Sequence, residues 1–342
     1  MGQKIALVGA GSIGTRHLKA MRQTDTVTLA AIVDPVPEAA ALAQKEGVPF
    51  FSDTQPMLEQ IHPAGVIIAT PTEHHLAPSL AALAHGSHVL IEKPIAATNA
   101  EADQIIAACA KTGRHALIAH QRRYYPQVEQ ARDIVQGGAI GQLVGVSGLW
   151  AVRKHQEYYA ADWRRRWPAS PILTNLVHEL DYLRYICGPI LAITAEVNNA
   201  VLGYEKDDTA ATIISFANGA IGTFLMTDQA DSPWSFEQAT GENALFPPTG
   251  ENVIRFVGTK GGLDFPNLRL WTSDGDPQWM TPMSARDMPN VLGDAYVRQL
   301  DHFADVMTGK AAPRIDARDG AGSLAATLAV FDSARTHGRV IL

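Results

Sequence analysis

The sequence predicts two domains, an N-terminal α/β domain on a parallel sheet and an α+β domain on a large, mainly antiparallel open sheet. Three observations predict this. A chain of 342 residues is too long for one ordinary core. Up to about residue 120, short apolar runs alternate with helix-period stretches. Beyond that point strand candidates follow one another closely, so the domains are set at 1–120 and 121–342.

In the first domain, runs rich in Val and Ile at 4–8, 28–33, 65–69, 88–91 and 115–119 read as strands. Ala-rich amphipathic stretches at 13–22, 37–46, 77–85 and 99–112 read as helices. Thr98 followed by Glu101 is a capping box that starts the last of them. Strand–helix alternation covers both faces of a parallel sheet with helices. In the second domain a helix at 126–136 precedes a strand at 143–150, and a helix at 175–186 is stopped by Gly188-Pro189. Strands at 190–197, 209–216 and 220–227 follow, the last two joined through an Asn218-Gly219 turn. Segments 253–257 and 268–271 extend the sheet, and helices near 296–307 and 317–337 close the chain. Consecutive strands predict an antiparallel sheet with helices on one face. Residues 231–249 read as an irregular loop.

The net charge of −7 argues against nucleic acid as a partner, because phosphate binding needs a basic face. Cys109 and Cys187 are the only cysteines, which speaks against a disulfide framework or a Cys-rich metal site and for a reducing, cytoplasmic setting. The first residues run straight into an apolar strand broken by glycines, with no export signal expected, and no segment reaches the length of a membrane span.

Gly9-Ala10-Gly11-Ser12-Ile13-Gly14 follows the first strand and opens the first helix. Gly9 permits the tight turn, Gly11 lets the backbone approach a pyrophosphate, and Gly14 lets helix and strand pack closely. The helix start, with Ser12 and Ile13, turns N–H groups and the positive dipole end toward the phosphates. Asp34 ends the second strand twenty residues past Gly14. A carboxylate there accepts from the adenosine ribose hydroxyls and repels a 2′-phosphate, so the pattern predicts a Rossmann domain that prefers NAD over NADP. The alternative is a glycine-rich turn without a ligand.

Thr70-Pro71-Thr72 follows the strand at 65–69, and Glu92-Lys93-Pro94 follows the one at 88–91. The carboxyl ends of such strands line the ligand crevice. A lysine there can stabilise a developing alkoxide or donate a proton, although most lysines are merely solvated. His178 and Asp181, three apart on the helix at 175–186, share one face, with Thr174 near it where the helix begins. An imidazole can take a hydroxyl proton as hydride leaves carbon. On the residues alone, a helix-surface His–Asp pair is the plainer reading.

Together, the glycine loop, Thr70-Pro71 with His75, Glu92-Lys93-Pro94 and His178-x-x-Asp181 resemble the Gfo/Idh/MocA oxidoreductases. The resemblance covers nearly the whole chain and is sharpest in residues 1–120. It implies hydride transfer between a nicotinamide cofactor and a hydroxyl or carbonyl carbon, usually of a sugar, cyclitol or related polyol. It also implies a second-domain sheet that drives formation of a homodimer or homotetramer. Carried over residue by residue, Lys93 and His178 are the catalytic pair. Gly9, Gly11, Ser12, Ile13, Gly14, Asp34, Thr70, Pro71, His75, Glu92 and Lys93 lie on the cofactor side. Many members carry an acid and a glycine in a D-x-G-x-H pattern. Here the stretch is Thr174-Asn175-Leu176-Val177-His178, which leaves acid–base work to His178 and substrate orientation to Thr174 or Asn175.

Arg122-Arg123-Tyr124 and the run Asp162–Arg165 with Arg166 and Trp167 look like the family's substrate-side segments. Tyr124 and Arg164 are the stronger candidates, with Trp163 also on the substrate side, since arginine beside an aromatic ring suits polyol faces, carboxylates or phosphates. Arg165 and Arg166 fit a surface turn equally well. His74-His75 and the pair His115 and His120 lack companions at ligand spacing, so no metal is expected. Two other functions fit the same motifs, an NAD-dependent glycosidase and a non-catalytic NAD-binding regulator. Retention of both Lys93 and His178 speaks against the regulator.

Overall fold

The computed structural model describes residues 2–342 and divides the chain into two compact units. The first takes the chain up to Tyr124 together with Asp294–Leu324. Its elements are β1 (Gln3–Val8), α1 (Ser12–Met21), β2 (Val27–Val33), α2 (Ala40–Glu46), β3 (Phe50–Phe51), α3 (Thr54–Ile61), β4 (Gly65–Ile68), α4 (Leu76–Ala84), β5 (His88–Ile91), α5 (Asn99–Thr112) and β6 (Ala116–Ile118). The strands pair in parallel in the order β3-β2-β1-β4-β5-β6. β4 and β5 are buried along their whole length, as strands covered on both faces must be. The capping box is present: the Thr98 hydroxyl accepts from the Glu101 N–H, and Glu101 accepts from the Thr98 N–H at 3.1 Å. β3 and α3 were not anticipated. Two residues carry no period, and α3 buries only Met57 and Leu58 behind its Asp53 cap.

The division differs from the 1–120 and 121–342 expected from the sequence. The helix Ala295–Met307 inserts Leu300, Phe303, Ala304 and Val306 into one core with Ile5, Leu7, Leu18, Ile32 and Ile67. Gly65 makes room for it, since a Cβ there would lie 2.5 Å from Met307 Sδ. Arg16 on α1 and Asp294 pair at 2.8 Å. An amphipathic helix carries no mark of which sheet it covers, so this return of the chain is invisible in the pattern.

The second unit holds Tyr125–Gly293 and Ala325–Leu342. Its elements are α6 (Pro126–Gln136), β7 (Leu143–Ala151), α7 (Val177–Cys187), β8 (Ile190–Asn198), β9 (Thr209–Phe216), β10 (Ile221–Thr227), α8 (Phe236–Thr240), β11 (Ile254–Gly258), β12 (Gly261–Phe265), β13 (Arg269–Ser273), β14 (Met283–Asp287) and β15 (Val340–Ile341). Nine strands lie in the order β14-β13-β12-β11-β7-β10-β9-β8-β15. All neighbours are antiparallel except β7 and β10, so the sheet is mixed though mostly antiparallel. Period-two alternation turns Val146, Ile214, Phe224, Met226 and Phe256 inward and leaves Ile213, Ile221, Leu225 and Val257 exposed. The β9–β10 turn has Gly219 at φ +87°, the left-handed geometry expected of Asn-Gly. The segment read as an irregular loop contains α8, capped by Ser235 and too short to show a period. β12 opens on two glycines and β14 is exposed throughout, so neither gives the apolar alternation of a half-buried strand. Among the described residues no helix is long and apolar enough to cross a membrane.

Candidate active site

The dinucleotide turn is fixed by what its glycines exclude. Gly9 sits at φ +97°, where a Cβ would lie 2.6 Å from the Ala69 carbonyl oxygen, and a Cβ on Gly14 would lie 2.1 Å from Gly9 O. Gly11 instead faces open space. α1 starts at Ser12 with no side-chain cap and no acid in its first turn, so its leading N–H groups suit an anion. Ser12 and Ile13 are exposed there. The Asp34 carboxylate accepts from the Ala10 N–H at 2.8 Å and the Val36 N–H at 2.9 Å, which fixes its position while each oxygen keeps a lone pair. Open backbone at Gly11, an uncapped helix start and a fixed acid fit a dinucleotide.

The loops after β4 and β5 are tied together by His75. Its Nε2 lies 2.9 Å from Thr70 O and its Nδ1 3.0 Å from Pro94 O. Burial holds the imidazole below its ordinary pKa, so at neutral pH it carries one N–H and donates to one of these carbonyls. The Thr70 hydroxyl donates to His74 O at 3.2 Å, and Pro71 is exposed. Glu92 is buried with Oε1 2.8 Å from His17 Nε2, and its Oε2 accepts from the Lys93 N–H at 3.2 Å. Burial would raise this carboxyl, but the His17 contact and the Lys93 charge outweigh it and hold the pKa below the usual carboxylate value. His75 and Glu92, expected as cofactor contacts, thus spend polar atoms on holding the loops. Lys93 is half-buried ahead of the cis peptide to Pro94. His17 was not anticipated. Its signal was its place three residues past Gly14, on the inward face of α1.

Tyr124 is 1% exposed, with the Arg314 guanidinium 4.6 Å over its ring and its carbonyl accepting from Arg298, so the side chain expected at the substrate packs inside the structure. Arg123 beside it pairs with Asp319.

In the second unit, residues Ile172–Leu176 form a π-turn leading directly into α7, whose first turn carries His178. His178 is 9% exposed, and Asp181 lies one turn on, buried. Thr174 and Asn175 sit on the π-turn, half-buried, with Thr174 Oγ1 3.0 Å from Asn175 Oδ1 and 3.1 Å from Ser170 O. Beside them stands Lys154, which the sequence reading missed because a lone lysine in a polar stretch carries no signal. Its Nζ lies 3.4 Å from Asn175 Oδ1 and 3.4 Å from Asp228 Oδ2. Burial lowers the Lys154 pKa although Asp228 opposes the shift. Asp228, fully buried, also accepts from Lys206 at 2.8 Å, Tyr159 at 3.1 Å and Gln229 at 2.8 Å. Arg164 stacks 4.1 Å over Tyr158, and Trp163 is exposed on the same turn. Arg165 donates to Tyr159 O and Arg166 pairs with Asp162, as surface-turn residues do.

The fold and the dinucleotide turn define an NAD-binding oxidoreductase. Residues 3–120 match the oxidoreductase family's NAD-binding Rossmann fold, and residues 132–342 match its C-terminal alpha/beta domain. The chain belongs to the Gfo/Idh/MocA oxidoreductase family. It is 25% identical to the rhizopine catabolism protein MocA of Rhizobium meliloti, over 94% of this chain and 92% of that protein. It is likewise 25% identical to D-glucoside 3-dehydrogenase of Escherichia coli K12, over 99% and 97% of the two. The WlbA dehydrogenase of Bordetella pertussis, solved with NADH and UDP-GlcNAcA, shares the fold with a TM-score of 0.80 at 24% identity, covering 100% of this chain and 99% of that one.

Proposed function

We propose that the protein is an NAD-dependent dehydrogenase or reductase acting on a CH–OH carbon of a sugar, cyclitol or related polyol. The observation that carries this reading is the dinucleotide turn at Gly9–Gly14 in a chain that also retains Lys93 at the carboxyl end of β5 and His178 on α7. When bound, the nicotinamide accepts or supplies the hydride. His178 takes the substrate hydroxyl proton, and Lys93, held as the ammonium, stabilises the charge growing on that oxygen. Thr174, neutral where many relatives carry an acid, orients substrate through its hydroxyl together with Asn175. Relatives named as sugar-acting enzymes support the substrate class.

The test is steady-state kinetics over a panel of sugars and inositols. Lys93→Ala and His178→Ala should each lower kcat about 10²–10⁴-fold while NAD affinity stays near wild type. Thr174→Ala should lose far less. Near-normal kcat in His178→Ala with abolished kcat in Thr174→Ala would move the proton acceptor to the π-turn. NAD is preferred over NADP because the fixed Asp34 carboxylate repels a 2′-phosphate, and Asp34→Ala should erase that preference.

The exposed row Ile213, Ile221, Leu225 and Val257 on the nine-stranded sheet supports a homodimer or homotetramer, which light scattering would refute by returning a single-chain mass. Cys109 and Cys187, both free, support a cytoplasmic setting.

A further inference from the structure

Two lysines share the Asp228 carboxylate, and they are not equivalent. Lys206 is fully buried and donates at 2.8 Å to Asp228 and at 3.0 Å to Asp207 O. That pair is neutral and closed. Lys154 keeps 14% of its side chain exposed, and its two oxygen contacts, Asp228 and Asn175, are both at 3.4 Å, beyond the 2.7–3.2 Å of a normal N–H···O bond. A mostly buried ammonium with only two long contacts has most of its hydrogen-bonding capacity unspent. Its third neighbour is the face of the Tyr158 ring at 4.8 Å, which attracts a cation but accepts no strong hydrogen bond.

The surrounding carboxylates have other partners as well. Asp228 and Glu237 favour the charged form of Lys154, and Arg164 opposes it. Asp228 serves Lys206 as well as Lys154, so its one charge is shared between two ammonium groups. The Glu237 carboxylate is already engaged by Trp150 Nε1 at 2.8 Å. Asp208 is taken up by the Val201 and Leu202 N–H groups, and Asp207 accepts from the Ser170 hydroxyl. The loosely held ammonium also contacts the π-turn, where Thr174 and Asn175 stand about one turn before His178.

We propose that Lys154 is a specificity-determining residue that, with Asn175 and Thr174, receives a carboxylate of the substrate, so that the preferred substrates are sugar acids or related hydroxy acids and not neutral polyols. This rests on the reading of the His178 side as the substrate side. A carboxylate gives this partly desolvated ammonium the close acceptor it lacks, where a charge-assisted hydrogen bond is strong. Removing the charge weakens acids more than neutral sugars, which lack the group that Lys154 receives.

The experiment is calorimetric titration of the NAD-loaded protein with matched probes, D-glucuronate against D-glucose and D-gluconate against sorbitol. The acid of at least one pair should bind about ten-fold tighter or more, the scale of a hydrogen bond to a charged group. Lys154→Met should bring that ratio to near one, and Lys154→Arg should keep most of it. Ratios near one in wild-type protein, including pairs in which neither member binds, overturn the proposal, as does a ratio that survives in Lys154→Met. The wild-type ratio decides even if the variant is unstable. Oxidation of a neutral polyol without acid preference would leave the dehydrogenase reading standing and remove this one. Lys154-dependent acid binding without any turnover would do the reverse.

Discussion

Glu92 in the first unit and Asp228 in the second are both buried carboxylates, but they are satisfied in opposite ways. Glu92 meets one imidazole and one backbone N–H, and its neighbour Lys93 supplies charge along the chain. Asp228 gathers Lys206, Tyr159 and Gln229 within hydrogen-bond distance, with Lys154 further off. The first arrangement positions a loop against α1. The second draws together three separate stretches of sequence, at 154–159, 206 and 228–229, and leaves Lys154 beside the π-turn. Glu92 is satisfied by two partners, whereas Asp228 is shared by two ammonium groups distant in sequence.

The largest effect separating the two should come from Asp228→Ala. It leaves two largely buried ammonium groups without their shared carboxylate, a break that typically costs about 3–5 kcal/mol. Thermal or denaturant unfolding should show that loss, and Lys206→Met in the same background should restore part of it by removing the better-buried charge. A cost below about 1 kcal/mol would mean that water reaches this cluster and that Asp228 is no more demanding than Glu92.

Glu92→Gln should cost less, about 1–3 kcal/mol, because the amide keeps the shape and loses a charged acceptor. Its pH dependence gives the sharper test. The folded-state carboxyl pKa is lowered, so Glu92 contributes stability that is fully present above the unfolded value of about 4.3 and is lost as pH falls through the folded value. The stability gap between wild type and Glu92→Gln should therefore be widest near neutral pH and shrink below about pH 4. A gap that stayed constant into acid would show that the carboxyl is not held in its charged form by His17 and Lys93.

The same contrast explains what the sequence disclosed. The glycine turn was legible because it acts through the backbone, and a backbone path restricts which residues can stand at fixed spacings. Strands β1, β2, β4, β5 and β6 were legible because burial on both faces demands continuous apolar runs. His17 was missed because its partner lies 75 residues away. Lys154, Lys206 and Asp228 were missed for the same reason: each alone is an ordinary polar residue, and only the second unit's fold brings them together. Tyr124 stood out as an aromatic beside arginines, but its burial under the Arg314 guanidinium was not legible, because Arg314 lies far along the chain.

The smallest expected effects concern helix caps, where the two units again differ by burial. Thr98 caps α5 from an exposed position, and Ser235 caps α8 from a fully buried one. Cap removal costs about 0.5–2 kcal/mol. At Ser235 the freed Gln238 N–H stays shielded from water, and the hydroxyl's own bond to Gln238 Oε1 is lost as well, so Ser235→Ala belongs near the top of that range. At Thr98 water replaces the hydroxyl, and Glu101 still accepts from the Ala97 N–H at 2.9 Å, so Thr98→Ala belongs near the bottom. Urea unfolding of the two single variants measures the difference directly, and an equal or larger loss at Thr98 would show that shielding from water does not set the cost of a cap in this protein.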